Sequence, residues 1–153
     1  RMFTHIKDGK LAMVDISEKD DQLRRATASG NIRLKSSTID AIKDGNVEKG
    51  NVLESARLAA VMAVKNTPGM IPLCHQIPIT GIDVDFKIDE DIIEVTVTVK
   101  SVGKTGVEMD ALCGASVALL TIWDMVKSAE KDASGNYPAT RISEIKVVEK
   151  VKI

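Results

Sequence analysis

The clearest pattern in the chain is a pair of alternating runs. Ile82, Val84, Phe86 and Ile88 are apolar at every second position, Asp89 to Asp91 interrupts, and Ile93, Val95, Val97 and Val99 alternate back. A period of two gives each strand one apolar face, so these residues predict a hairpin in a sheet covered strongly on one side. A different period follows. From about Val107 to Lys131, Leu112, Ser116, Leu119, Trp123 and Val126 recur at helical spacing. Glu108 and Asp110 stand in the first turn and Lys127 and Lys131 near the last, the arrangement that suits the helix dipole. The first half of this helix is small-sided, with Ala111, Cys113, Gly114, Ala115, Ser116 and Ala118. A Gly inside a helix costs about 1 kcal/mol against Ala, so close packing is expected there.

The remaining elements are marked more by punctuation than by period. Residues 10–16 predict a short strand, and residues 17–30, which hold Arg24 and Arg25, are polar and expected to be a mobile loop. Ile32 and Leu34 alternate with charges and predict a strand over 31–35. Ser37, with Asp40 three on, is expected to cap a short helix that Gly45 closes. Asn51 and Glu54 form a capping box before Leu53, Ala56, Ala60, Val61 and Val64, and Asn66 and Pro68 end that helix. Pro68, Gly69, Pro72 and Pro78 predict irregular chain over 66–80, packed down by Met70, Ile71, Leu73, Ile77 and Ile79. A Gly/Pro loop over 132–138 leads to a last strand over 142–151. From residue 31 the order is strand, helices, strand, strand, helix, strand. That is the split β-α-β arrangement of an α+β, ferredoxin-like α/β sandwich, an antiparallel sheet with helices on one face.

Composition narrows the class. The 153 residues, 44% of them hydrophobic and 28% charged, are expected to form one globular domain over 1–153. Aromatics are 3%, so the core must be aliphatic. A net charge of −1 argues against a general nucleic-acid or membrane surface, and no apolar run approaches the ~20 residues that span a bilayer. A cytoplasmic setting is expected, and Cys74 and Cys113 are too few for a disulfide framework.

Candidate chemistry collects at a few positions. Asp124 and Lys127 lie three apart on one helix face beside the sole Trp; a plain helix ion pair is the competing reading. Lys49 sits in EKGN, just before a helix start, where it serves an anion or is simply a surface lysine. For His75, beside Cys74 in the proline-rich segment, three readings stand: a buried structural imidazole, an imidazole presented rigidly to a pocket, and a zinc ligand. Zinc is the weakest, because adjacent Cys and His lack ligand spacing and only His5 and Cys113 remain as partners besides carboxylates. Gly103-Lys104-Thr105 resembles part of a phosphate-binding loop, but the full spacing is missing. No metal cage or cofactor motif is present, so none is assigned.

Four motifs in order resemble the MoaC family of cyclic pyranopterin monophosphate synthases: KGNVLESAR (49–57), IPLCHQIPITG (71–81), GKTGVEMDAL (103–112) and TIWDMVK (121–127). The resemblance covers nearly the whole chain. It implies conversion of (8S)-3′,8-cyclo-7,8-dihydroguanosine 5′-triphosphate to cyclic pyranopterin monophosphate with loss of pyrophosphate, in molybdenum cofactor biosynthesis. It implies Asp124 as catalytic carboxylate, Lys127 as its acid/base partner, and Lys49 and His75 in the same pocket. Leu73, Cys74 and His75 would be one substrate-contact segment and Met109 with Asp110 another. Arg24 resembles a phosphate-binding loop arginine of the family. It also implies a homohexamer, a trimer of dimers with sites at dimer interfaces, and a nucleotide-derived substrate as partner. Three departures stand out: Asp110 where the family usually has Glu, Asn51 where it usually has Asp, and no glycine- and lysine-containing tail after Val148.

The chemistry agrees with the residues. A triphosphate needs cations, and Lys49, Lys104, Lys127 and Arg24 are available; proton transfers need groups such as Asp124, Lys127 and His75. The rival from another class is a non-enzymatic ferredoxin-like module that binds a small effector at a subunit interface. Convergence of Asp124, Lys127, Lys49 and His75 in one cleft separates the two.

Overall fold

The computed structural model describes residues 6–153. His5 lies outside the described residues. A small antiparallel pair, β1 (Ile6–Lys7) and β2 (Lys10–Leu11), opens the chain. It turns through Asp8 and Gly9, both at positive φ. The strand expected over 10–16 is therefore only two residues long, because residues from 12 to 16 find no strand to pair with.

The main sheet has the order β4-β5-β3-β6, with every neighbouring pair antiparallel. Its strands are β3 (Gln22–Arg33), β4 (Ile79–Ile88), β5 (Ile92–Gly103) and β6 (Arg141–Lys152). The helices α1 (Ser36–Asp44), α2 (Val52–Lys65), α3 (Thr67–Met70) and α4 (Glu108–Glu130) complete the ferredoxin-like sandwich. Val95, Val97 and Val99 of β5 are fully buried under the helices. On the opposite face polar groups meet: the Thr27 and Thr98 hydroxyls are 2.9 Å apart, and Arg25 pairs with Glu149 at 3.0 Å.

The loop expected over 17–30 is instead largely the long central strand β3. Its residues are small rather than greasy. Ala26, Ala28 and Ile32 are buried against the helix layer, and a Cβ on Gly30 would stand 2.8 Å from Leu119 Cδ1 of α4. A strand crossed this closely needs Ala and Gly, and such residues read as a loop from sequence. Gly114 has the same explanation on the helix side. A Cβ there would lie 2.8 Å from Val64 Cγ2 of α2 and 3.1 Å from Val97 Cγ1 of β5. The small-sided stripe of α4 is thus occupied within its own chain, with Ala111, Ala115 and Ala118 fully buried.

Two further local expectations change. The N-cap of α1 is Lys35, not Ser37, and it makes no side-chain cap. The segment expected to be irregular holds one turn of helix, α3, because Pro68 falls in the first turn, where no N–H is required. The capping box of α2 forms as expected, with Asn51 Oδ1 accepting from the Glu54 N–H at 3.1 Å. α4 is long and apolar enough to cross a membrane by length and composition, contrary to the expectation that no run would be, yet half of that stretch is buried inside the fold.

Candidate functional site

Residues of catalytic type gather at the two ends of α4. At the C-terminal end Asp124 is gripped from both sides. Lys127, one turn on, reaches Oδ1 at 3.1 Å. Lys49 comes from the loop after α1 and reaches Oδ2 at 3.0 Å, while also donating to the Asp124 carbonyl oxygen at 3.0 Å. Hydrogen bonds from Lys49 and Lys127, and then their charges, hold the Asp124 carboxyl below the usual carboxylate range. The side chains are 58%, 43% and 45% exposed for Asp124, Lys127 and Lys49, so the trio lies open on the chain's surface. Beside it, Trp123 meets Tyr137 edge-on, with ring centroids 5.1 Å apart.

The N-terminal end is built differently. Asp110 is 2% exposed and its Oδ2 has no hydrogen-bond partner among the described residues. Burial pushes its carboxyl up to about 6; a bond from its own backbone N–H opposes this, and the charge of Glu108 adds to it. Glu108 Oε2 is likewise buried and unpartnered, while Oε1 pairs with Lys150 at 3.1 Å. Burial also raises the Cys74 and Cys113 thiols, with the Asp110 charge contributing to both and the Thr67 hydroxyl opposing the rise at Cys113. Asp110 lines a cavity of about 190 Å³ with Lys65, Gln76 and Ile77.

His75 sits in the segment that packs at this same end, with Nε2 2.6 Å from the Val14 carbonyl oxygen. A carbonyl oxygen only accepts, so Nε2 carries a proton in this bond. Leu73 is half-buried and Met109 is 36% exposed. Arg24, on β3 rather than a loop, is 8% exposed and donates from Nε to the Gly103 carbonyl at 3.1 Å. It lines a groove of about 410 Å³ with Lys19, Gly106, Lys150 and Lys152, and with the carboxylates Glu18 and Asp20. Lys104 reaches the Lys19 carbonyl at 2.8 Å at the surface nearby.

Within a single chain, then, Lys49, Asp124 and Lys127 come together. His75 is not part of that group: its ring meets Val14, and its neighbour Cys74 lies close enough to feel the Asp110 charge. Fourteen residues separate Asp110 from Asp124, roughly 21 Å along the axis at 1.5 Å per residue. Sequence reading did not single out Lys150 and Lys152. Their signal was the register of β6 on β3, Lys152 opposite Arg24 and Lys150 opposite Ala26, which no local pattern reveals. Among the described residues no group of three or more His, Cys, Asp or Glu side chains is arranged to hold a metal ion.

Comparison with known proteins gives a consistent result. The sequence model of the MoaC family matches residues 13–152. A protein of Methanococcoides burtonii named "Probable cyclic pyranopterin monophosphate synthase" is 63% identical over 150 residues, covering 98% of this chain and 94% of its own length. One of Archaeoglobus fulgidus with the same name is 64% identical, covering 97% of this chain and 96% of its own. One of Pyrococcus furiosus, again so named, is 56% identical at 97% and 96% coverage.

Proposed function

The chain belongs to the MoaC family, and on that premise we propose that it is a cyclic pyranopterin monophosphate synthase, rearranging a cyclised dihydro-GTP and releasing pyrophosphate in molybdenum cofactor biosynthesis. The observation that carries the catalytic assignment is Asp124 bridged by two amines, Lys49 at 3.0 Å and Lys127 at 3.1 Å. A carboxylate held in its charged form fixes two amines beside it, and an amine so placed can give or take a proton during ring opening and reclosure. Asp124 is the catalytic carboxylate, Lys127 the acid/base partner and Lys49 the cation completing the pair.

Closing the cyclic phosphate replaces the bond from the α-phosphorus to pyrophosphate with one to a sugar hydroxyl. The hydroxyl proton passes to a base and the negative charge leaves on pyrophosphate. Cations stabilise that charge. Arg24 and Lys104 serve the phosphates, and the groove that Arg24 lines with Lys150 and Lys152 gives the phosphates room. Leu73, Cys74, His75, Met109 and Asp110 contact the rest of the substrate. An unpartnered, buried carboxylate such as Asp110 favours a ligand that brings N–H donors, because such a group is costly to leave alone.

The substrate needs both ends of α4, and one chain keeps them roughly 21 Å apart. On that spacing the site is shared between two chains, and the family resemblance implies that the pair belongs to a homohexamer, a trimer of dimers. A two-fold axis places the start of one α4 near the end of its partner's. A cytoplasmic setting fits two free thiols. The test is turnover of the cyclised dihydro-GTP by the purified protein, following pyrophosphate and cyclic pterin together. Equal amounts of both products are expected. Tight binding without either product would overturn the enzyme reading in favour of an effector-binding module.

A further inference from the structure

Among the described residues Glu130 is the one carboxylate buried outside the cluster at the start of α4, and the chemistry above does not use it. It is 1% exposed, in the last turn of α4. Its oxygens accept from three places. The Lys35 N–H reaches both, at 3.3 and 3.2 Å; the Thr38 hydroxyl donates to Oε2; the Thr140 hydroxyl donates to Oε1 at 2.7 Å. No partner in this set is a counter-charge. Burying a carboxylate is costly unless it is well hydrogen-bonded, and this one is.

Its contacts explain a gap noted above. α1 has no side-chain cap of its own, because Lys35 stands at the N-cap. A Ser or Asp at 35 would cap it locally. Here the cap comes from α4, the helix that carries Asp124. α1 has nine residues, and helices that short are marginal by themselves. At its other end Gly45 turns in the left-handed conformation, at φ 70°, and the chain returns. Lys49 then reaches back to α4 at Asp124. The segment 35–49 is thus fastened twice to one helix, at residues 130 and 124. Those points are six residues apart, roughly 9 Å along a rigid rod.

We propose that Glu130 is a positioning residue: by holding the start of α1 to the end of α4, it sets the segment 35–49 so that Lys49 is delivered to Asp124. Its effect on turnover rests on the roles given above to Lys49 and Asp124; its effect on the placement of Lys49 does not.

The test uses the full-length protein with Glu130→Gln and, as a milder change that keeps the carboxylate and the shape, Thr38→Val. Competitive acetylation of lysines, read by mass spectrometry, reports placement without activity. Lys49 is expected to react several-fold faster in both variants, while Lys65 and Lys87, outside the segment, react at unchanged rates. In turnover, kcat should fall about tenfold in Glu130→Gln with KM little changed. In a Lys49→Ala background, Glu130→Gln should cause no further fall, since the two act through one contact. A purely structural cap would leave Lys49 labelling in step with the other lysines and make the two kcat losses multiply, and either result overturns the proposal. Faster Lys49 labelling with unchanged kcat would support the placement by Glu130 and overturn instead the catalytic reading of Lys49.

Discussion

The two ends of α4 carry carboxylates in opposite circumstances. Asp124 is exposed, doubly paired with lysines and held in its charged form. Asp110 is buried, unpartnered at Oδ2 and pushed up to about 6. The first has its interactions satisfied by the protein and keeps a fixed charge. The second lacks a donor and is destabilised in its charged form, so a ligand can supply what the protein withholds. Under the proposed function the first end does the chemistry and the second recognises the substrate. The same helix supports both because its middle is locked: Gly114 lies between Val64 and Val97, and Ala111, Ala115 and Ala118 are fully buried.

The largest expected effect breaks the chemical end. Asp124→Asn should lower kcat about 10²–10⁴-fold, the range for loss of a positioned acid–base group. It should leave Tm almost unmoved, because exposed ion pairs contribute only about 0–1 kcal/mol. Steady-state kinetics and calorimetry on one preparation check both. Lys127→Ala should behave alike, with a kcat loss of about 100-fold. Near-normal turnover in a folded Asp124→Asn protein would remove the catalytic role from this end.

The recognition end should respond in the reverse sense. Burial pushes the Asp110 carboxyl up to about 6 in the folded state, from an ordinary value of 3.8. The native state therefore binds this proton more tightly than the unfolded state does. The associated stability is fully present below pH ~3.8 and is lost as pH rises through about 6. Asp110→Asn abolishes the ionisation. Above pH ~6 the variant should be more stable than the wild type by about 2–3 kcal/mol, and below pH ~4 the difference should vanish. The same variant should bind substrate more weakly. Denaturant unfolding across that pH range is the measurement. An Asn variant less stable at pH 8 than at pH 4, relative to wild type, would mean that Asp110 has a donor after all.

How far these contrasts were readable in the sequence follows from the kind of signal each feature leaves. β4 and β5 were legible because Val, Ile and Phe alternate with charge, and α2 because Asn51 and Glu54 spell a capping box. β3 was not, because the crossing of α4 demands Ala and Gly where a strand usually shows bulk. Asp124 and Lys127 were legible as an i, i+3 pair. The bond from Lys49 spans 75 residues and was reachable only through the family motifs. Glu130 left no trace, since a charged residue in a last helical turn normally faces water. Asp110 was visible as a first-turn carboxylate suited to the dipole, a reading that predicts an exposed and ionised group. Burial by the segment 66–80 and by α3 reverses its character, and that packing is tertiary.

The smallest effect is the most direct test of whether the two ends work together in one chain or across two. Asp110→Ala disables the recognition end and Asp124→Asn the chemical end, so each pure variant is inactive for a different reason. If every site takes its recognition end from one chain and its chemical end from the partner, random exchange of equal amounts gives dimers of which about half are mixed. In each mixed dimer one of the two sites receives both damaged ends and the other receives none. Activity should therefore recover to about a quarter of the wild-type value per chain. If each chain supplies both ends of its own site, every site in every mixture carries one lesion, and recovery is nil. Exchange must be verified by native mass spectrometry of differently tagged chains before activity is read. The geometry favours the first outcome, because α4 is one continuous helix of 23 residues whose ends cannot approach one another within the chain.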